Sequence, residues 1–542
     1  MKKIIILMST LMCALSLSAQ VVECAFTSID EDIDHNKILY ANTVYRVEGC
    51  IRVLPGYTLE IEPGTIVMFE KASKASLIVE RGAYVQINGT LSELVNFVSD
   101  QKSFARQRGD WGGFYILGNA ENNESGGIIE LDEAECEIVG GGENNADSSG
   151  VIQYLNVMFS EYGMTGVGVG NKTVIDHIYV SQSADKGIRL LGCDARIKHT
   201  IVKDIAGSGY EFDFGDNSKM QYGIAVTVDT SAHRASGTNQ LVISNNSNSE
   251  YATPLGRSIV SNFSLINPRF CGYTTLNNDF QNSVLYKKGA GGGVYNTVVT
   301  GSPRGLYFGD FSAMESADLA LLNYSYNTGV DNTSPYDAVT TWPTNCALDI
   351  DDWILGTAIG ACAQTGNDFY SLPYDLGYSN TICGATPSFL LGTTDLDDAS
   401  FPASSDLDNG FFTSGSQKRG AINASVDWTG WKIWNEAAFT VCPENRMAPT
   451  GIANVANGKT QLSVYPNPAN DIAYVEFNTE NAGKVTVDVV NSLGQVVRSI
   501  NTNTAKGKQS IEVETGGLSA GVYMVTVTFE NGLSAHAKVM VK

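Results

Sequence analysis

The sequence is poor in the features that would make its chemistry legible. Its 542 residues include only five histidines and no H-E-x-x-H, which removes the usual metalloprotease signature. No C-x-x-C pair occurs, which argues against a zinc ribbon or a redox dithiol. Beyond the first twenty residues no apolar run reaches the ~18 residues that a membrane helix needs. Basic residues are scarce, 35 against 58 acidic ones, and a formal charge of −23 argues against nucleic acid as a partner. Helical periodicity is nearly missing, which speaks against a helix bundle. With 43% hydrophobic and 17% charged residues, the chain is too apolar to be disordered.

What is present is β-patterning and glycine. The 55 glycines punctuate short runs rich in Val and Ile. Tyr57–Phe69 alternates apolar and polar residues around Pro63-Gly64, and Ser76–Gly89 repeats the idea around Gly82. Later runs are Val174–Val180, Ala195–Val202, Gly223–Val228, Ser258–Ile266 and Gly293–Val299, separated by about 20 residues or a small multiple. One such coil cannot bury its own apolar face, so stacking is implied. The expected fold is all-β: a right-handed parallel β-helix body followed by a small Ig-like β-sandwich, with a series of β-sandwiches as the structural rival. Expected boundaries are a signal peptide at 1–19, the body with its caps at 20–445, a Pro/Gly linker at 446–460 and a terminal domain at 461–542. Lys2-Lys3, the apolar Ile4–Leu17 and Ser18-Ala19-Gln20 carry the signal pattern. Val21–Ile38 is the candidate N-terminal cap, and the region from Ser312 to Phe439 the candidate closure of the other end.

Export permits disulfides. Cleavage leaves Cys24, Cys50, Cys136, Cys193, Cys271, Cys346, Cys362, Cys383 and Cys442, an odd number, so at least one thiol stays free or pairs between chains. Cys24 with Cys50 could staple the N-terminal end, and Cys346, Cys362, Cys383 and Cys442 the C-terminal one.

The last eighty residues carry the sharpest signal. Tyr465-Pro466-Asn467-Pro468, Gly494, Gly521-Val522-Tyr523 and the closing run around Lys538 resemble the type A C-terminal sorting domain of the Bacteroidetes type IX secretion system. The resemblance implies export across the outer membrane, removal of the domain, and release or attachment of the body to surface lipopolysaccharide. The partners it implies are the secretion machinery and, outside the cell, lipopolysaccharide or extracellular glycan. The body resembles exported β-helical proteins without an established activity, through Leu59–Thr65, Gly109-Asp110-Trp111-Gly112-Gly113, Asn144–Gly150, Tyr295–Val299 and Asp427–Trp431. Such relatives often carry Asp-Asp-Gly steps. Here those places read Ala184-Asp185-Lys186-Gly187 and Gly207-Ser208-Gly209, which puts a carboxylate site of that kind in doubt.

No catalytic constellation rises above background. Gly517-Leu518-Ser519-Ala520-Gly521 fits G-x-S-x-G, but a strand rather than a helix should follow it. Gly458-Lys459-Thr460 lacks the first glycine of a phosphate loop, because position 453 is Ala453. If the body is an enzyme, Asp185, Glu211 and Asp213, with Asp216, are the candidate carboxylates for polysaccharide cleavage, and Lys186 or Arg189 the candidate lyase base. The bland alternative is a solvated acidic face. Calcium is the one cofactor suggested, at Asp349, Asp351 and Asp352, with Asp395, Asp397 and Asp398 and the loop Asn144, Asn145, Asp147 as further oxygen-rich stretches. Trp111 is read as a packed corner, with sugar stacking as the alternative. His177 and His199, 22 residues apart at similar strand positions, are expected to stack on adjacent coils as a packed pair rather than as a metal site. The functional expectation is an exported surface protein that binds glycan or matrix, or serves structurally. The alternative is a polysaccharide lyase or glycoside hydrolase.

Overall fold

The computed structural model describes residues 25–358, 360–371, 380–383, 389, 406–413, 419–422, 428–431, 435–441, 462–479, 482–491, 496–529 and 534–542. Two compact units divide between Met447 and Ala448. The signal pattern and Cys24 lie outside the described residues, as do Cys442, Asp395, Asp397, Asp398 and Gly494.

The first unit is a parallel β-helix, built from a 17-stranded and a 10-stranded parallel sheet. Each coil gives one strand, or a broken pair, to the first sheet and one to the second. Val174–Ser181 is followed by Lys186–Leu191, then Arg196–Lys203 by Ser208–Asp213, then Lys219–Val226 by Thr238–Ser244. Strict register turns alternation into ladders. Leu39, Ile61, Ile87, Ile152, Ile175, Ile197, Met220, Val260, Val294 and Tyr324 stack rung on rung and are all buried. Rungs one strand spacing apart, ~4.8 Å, leave no gap for water.

The long strands of the first sheet do not run straight. Tyr154, His177, His199, Tyr222, Asn262, Asn296 and Tyr326 occupy equivalent positions and all adopt positive φ, between 51° and 63°. One left-handed residue per coil folds that sheet around a corner, so the solenoid has three faces. Coils continue past the expected closure. Leu322–Ser325, Thr328–Val330, Ser334–Ala338 and Asp368–Tyr370 are still solenoid strands. At the other end Thr27–Ile29 and Lys37–Leu39 already pair in parallel with later coils, so most of the expected cap is coil.

Helix Phe311–Asp318 packs Ala313, Met314 and Ala317 into the core, and Asp310 caps it by accepting from the Ala313 amide at 3.0 Å. Its buried terminal residue, Asp318, accepts from the amides of Asn345, Cys346 and Ala347 and from the Trp342 indole. Those donors hold Trp342 beside Trp353 and Phe308 as an aromatic plug.

Two additions cover the outside. Ile129–Glu133 and Cys136–Gly140 form an antiparallel hairpin turning at Ala134 and Glu135, both with positive φ. Its Ile129, Cys136 and Ile138 bury Ile78, Tyr115, Leu117, Val167 and Leu191 on the second sheet. The described parts of 406–441 return along the first sheet instead of capping the end. Ala421, Ile422 and Trp431 cover an outward apolar strip formed by Tyr179, Ile201, Ile224 and Val298 of one register row and Ile266 and Val330 of another. The strip explains why these strands read as continuous Val/Ile runs: both of their faces are buried.

Cysteine pairing departs from expectation. Cys50 bonds Cys136, pinning the hairpin, where Cys24 was the expected partner. Cys271 bonds Cys383, and Cys346 bonds Cys362 within the expected C-terminal group. Cys193 is a buried free thiol.

The second unit is a seven-stranded antiparallel sandwich. Ser463–Tyr465, Ile472–Thr479 and Gly507–Glu514 form one sheet, and Gly483–Val490, Val496–Thr504, Gly521–Phe529 and Ser534–Val541 the other. Alternate valines, among them Val475, Val487, Val513, Val525 and Val539, fill its core.

Candidate functional site

The carboxylates singled out from sequence sit on the second sheet. Lys186–Leu191 and Ser208–Asp213 pair so that Arg189 faces Glu211 and Leu191 faces Asp213. Ile188, Leu190, Tyr210 and Phe212 turn into the core, which leaves the charged residues outside. They are consumed by one another. Lys186 bonds Glu211 at 2.6 Å and Asp185 at 3.5 Å, Arg234 holds Asp185 at 3.0 Å, and Arg189 holds Glu133 of the hairpin at 2.5 Å. Burial alone would raise the Glu211 carboxyl, but Lys186 and Arg189 outweigh it and hold it at about 2. Burial raises the Asp213 carboxyl, which accepts from the Ser247 hydroxyl and amide and the Phe214 amide. Burial works to discharge Lys186 and Arg189, yet the carboxylates beside them prevail and raise both. A lyase base needs its neutral form. Either was expected to serve only if a neighbouring charge lowered its pKa, and the neighbours here act in the opposite direction, favouring the charged form. Asp216 lies apart, fully buried, accepting from Cys193, Ser218 and Ser258, and burial pushes it up to about 7.

Trp111 is interior. It stacks on Phe69 at 4.0 Å and donates its indole N–H to the Met158 carbonyl, so the sugar-stacking alternative for this ring falls away. Gly112 follows because a Cβ there would meet Ser76 Oγ at 2.0 Å.

The first sheet carries two features on its outer side. At the corner, Tyr154, His177, His199 and Tyr222 form a continuous ring stack with centroid separations of 4.3, 4.6 and 5.2 Å. The expected stacking of His177 on His199 is thus observed. Asp176 joins them, its Oδ1 lying 3.0 Å from His177 Nδ1 and 2.8 Å from His199 Nδ1. Burial would raise this carboxyl, but the two histidine hydrogen bonds hold it down at about 2. Neighbouring Lys198 is pushed down by burial, and its ammonium donates to Thr413 Oγ1 and lies over the Phe411 ring.

Toward the opposite edge of the same face lies a polar cleft of about 350 Å³. Asn145, Asp194, Asn217, Lys219, Arg257, Asn323, Asp406 and Asn409 supply its hydrogen-bonding groups, and Ile259 and Leu321 are among its apolar ones. The strand starts place these residues on successive coils, while Asp406 and Asn409 come from the returning segment. Burial and the nearby Arg196 push the Lys219 ammonium down. Of these cleft residues only Asn145 was singled out from sequence, and then as part of an oxygen-rich loop that could hold calcium rather than as part of a cleft. Their signal is non-local, since residues from 145 to 409 meet there.

The calcium candidates serve as turn and cap residues. Asp349 caps the short helix Ile350–Ile354 by accepting from the Asp352 amide. Asp352 accepts from the Leu348 amide and the Thr357 hydroxyl, and Asp351 hydrogen-bonds Tyr336. Asp147 accepts from the Asn119 amide and side chain, and Asn145 from the Glu121 amide. Among the described residues the one group of three that brings metal-ligating atoms within 4.8 Å of one another is Asp176, His177 and His199.

In the second unit the sorting-motif residues tie the sandwich edge to its last strand. Tyr465 donates its hydroxyl to Glu476 at 2.5 Å, and Asn467 accepts the Met540 amide at 2.9 Å. Pro466 and Pro468 flank that contact on an exposed turn. Gly521 opens its strand, Tyr523 donates to the Ser519 carbonyl at 2.8 Å, and Lys538 stands opposite Met524. The Gly517–Gly521 stretch is a turn entering a strand, as expected.

Residues 31–348 match a family model described as a pectate-lyase-like β-helix domain. Residues 463–542 match a secretion system C-terminal sorting domain. No curated protein matches the chain. No helix of the described residues is long and apolar enough to cross a membrane.

Proposed function

Starting from a chain that belongs to the pectate-lyase-like β-helix family and ends in a type IX sorting domain, we propose that its body binds an extracellular glycan without cleaving it. The sorting domain accounts for secretion or attachment at the outer surface and for engagement of the secretion machinery. What happens after delivery is the proposal. The observation that carries it is the polar cleft, whose amides, carboxylates and cations across successive coils offer donors and acceptors to the hydroxyls of a sugar chain. The candidate catalytic carboxylates favour the same reading: Asp185 and Glu211 are bound to cations, and Asp213 to serine and backbone donors.

The test incubates the body with plant, algal and host polysaccharides and measures both retention on immobilised glycan and release of reducing or unsaturated ends. Retention without new ends is expected, and Lys219→Ala with Asn323→Ala should weaken it about tenfold or more. Retention unchanged in that double variant would remove the cleft from the account. One observation favours a hydrolase or lyase instead. Glu211 and Asp213, two residues apart on one strand, are pushed in opposite directions, as an acid–base pair would require. New chain ends that vanish in Glu211→Gln would establish that second reading.

A further inference from the structure

Asp176, His177 and His199 take no part in the glycan cleft, yet they are held with more precision than a surface corner needs. His177 and His199 occupy the same register position on adjacent coils, and Asp176 immediately precedes the first. Positive φ at both histidines, 56° and 51°, places both rings in one column at the corner. Tyr154 and Tyr222 close the column above and below, and Trp428 stands edge-on 5.1 Å from the His199 ring. The rings therefore have little freedom to swing away. Both Nδ1 atoms address one oxygen, Asp176 Oδ1, at 3.0 and 2.8 Å. Ligand atoms bound at ~2.0–2.2 Å to a common tetrahedral ion lie roughly 3.4 Å from each other, so loading opens these spacings by about half an ångström and tilts the two rings, now 26° from parallel, toward one ion. The side chains are 29%, 16% and 23% exposed, enough for an ion to enter and enough burial for it to be held. Of the charged or titratable neighbours, Lys198 is drawn aside by Thr413 and Phe411, and Tyr154 and Tyr222 offer only their ring faces to the stack.

We propose that Asp176, His177 and His199 form a binding site for a divalent cation of the zinc type. Two imidazoles and one carboxylate suit a borderline ion and not calcium or magnesium, which want oxygen ligands. Three protein ligands leave a position open to water or to a donor from a ligand, the pattern of zinc sites that are not purely structural. The imidazoles coordinate as neutral rings through Nδ1, so the ion displaces the hydrogen bonds to Asp176 and binding weakens in acid.

The test uses the full chain, freed of metal with a chelator. Zn²⁺ titration by calorimetry should give one site per chain, with micromolar or tighter affinity. Cu²⁺ should quench tryptophan fluorescence through Trp428 and Trp431, and Zn²⁺ should compete for that quenching. His177→Phe and His199→Phe keep the ring stack and remove one ligand each, and each should weaken zinc at least about tenfold. Asp176→Asn, nearly isosteric, provides a second route should either stack variant misfold, and it should also weaken zinc. The proposal is overturned by an absence of saturable zinc binding in the native chain up to about 1 mM. It is equally overturned by one-site binding that folded Asp176→Asn and His→Phe variants leave unchanged.

Discussion

Replacing Trp431 by alanine should undock the returning segment while leaving the solenoid intact. The ring is 3% exposed and meets Tyr154, His177 and Tyr179 edge-on at 6.1, 5.7 and 6.3 Å. Truncating a buried tryptophan costs about 3–5 kcal/mol. The cost falls on the docked state alone, because an undocked segment leaves this ring in water. At 1.4 kcal/mol per decade the equilibrium for local opening rises about 10²- to 4 × 10³-fold. The assay is hydrogen exchange resolved to single amides. Gly420, which donates to Asn296, and Ala421, which donates to Ser264, should exchange faster by that factor. Ladder amides such as Ile197 should not change. Trp431→Phe gives the contrast: its indole N–H is buried without an acceptor among the described residues, so phenylalanine removes an unsatisfied donor as well as some contact. That variant should cost less than about 1.5 kcal/mol. Unchanged exchange at Gly420 and Ala421 in the alanine variant, or equal acceleration throughout the ladder, would refute the idea of a separately docked segment.

Other perturbations follow from the same geometry. Glu211 and Asp176 are both held at about 2, below their ordinary values of 4.5 and 3.8. Their stabilisation is therefore complete above those ordinary values and is lost as pH falls toward 2, about 3 kcal/mol for Glu211. Urea titrations between pH 5 and 2 should show a shallower acid limb in Glu211→Gln than in the native chain. Replacing Cys50 and Cys136 together by serine removes a cross-link spanning 86 residues and should lower the unfolding free energy of the body by about 4–5 kcal/mol, with protease cleavage near Ala134 as the readout of the unpinned hairpin. Gly112→Ala drives a methyl into Ser76 Oγ and the Lys74 carbonyl, the latter at 2.8 Å, and should lower the midpoint of thermal unfolding by several degrees.

Local patterns in the sequence pointed to the solenoid and the sandwich, and distant meetings stayed hidden. Alternation and β-branching located Val174–Ser181 and Ile259–Ile266 within a residue or two, because a strand with one core face must alternate. The 22-residue offset of His177 and His199 foretold their stacking, since register converts sequence period into contact. The corner itself was silent: Tyr154, His177 and Tyr222 take a left-handed backbone normally signalled by Gly or Asn. The partners of Cys50 and Cys271 were out of reach, because sequence spacing says nothing about which distant loops a coil brings together. The cleft was invisible for the same reason, being assembled from residues as far apart as Asn145 and Asn409.

The returning segment also bears on the order in which the chain can fold. A solenoid alone grows coil upon coil, and each added turn is nearly independent of distant ones. Here Phe439 accepts hydrogen bonds from Ser103 and Arg106, and Glu436 receives Lys203 and Tyr179, so the last stretch of the body fastens to its early turns. Coils that stack before residues 421–431 dock leave that oily strip bare, and it is sealed only when Ala421, Ile422 and Trp431 come down on it. Sealing joins many weakly linked turns into one cooperative body.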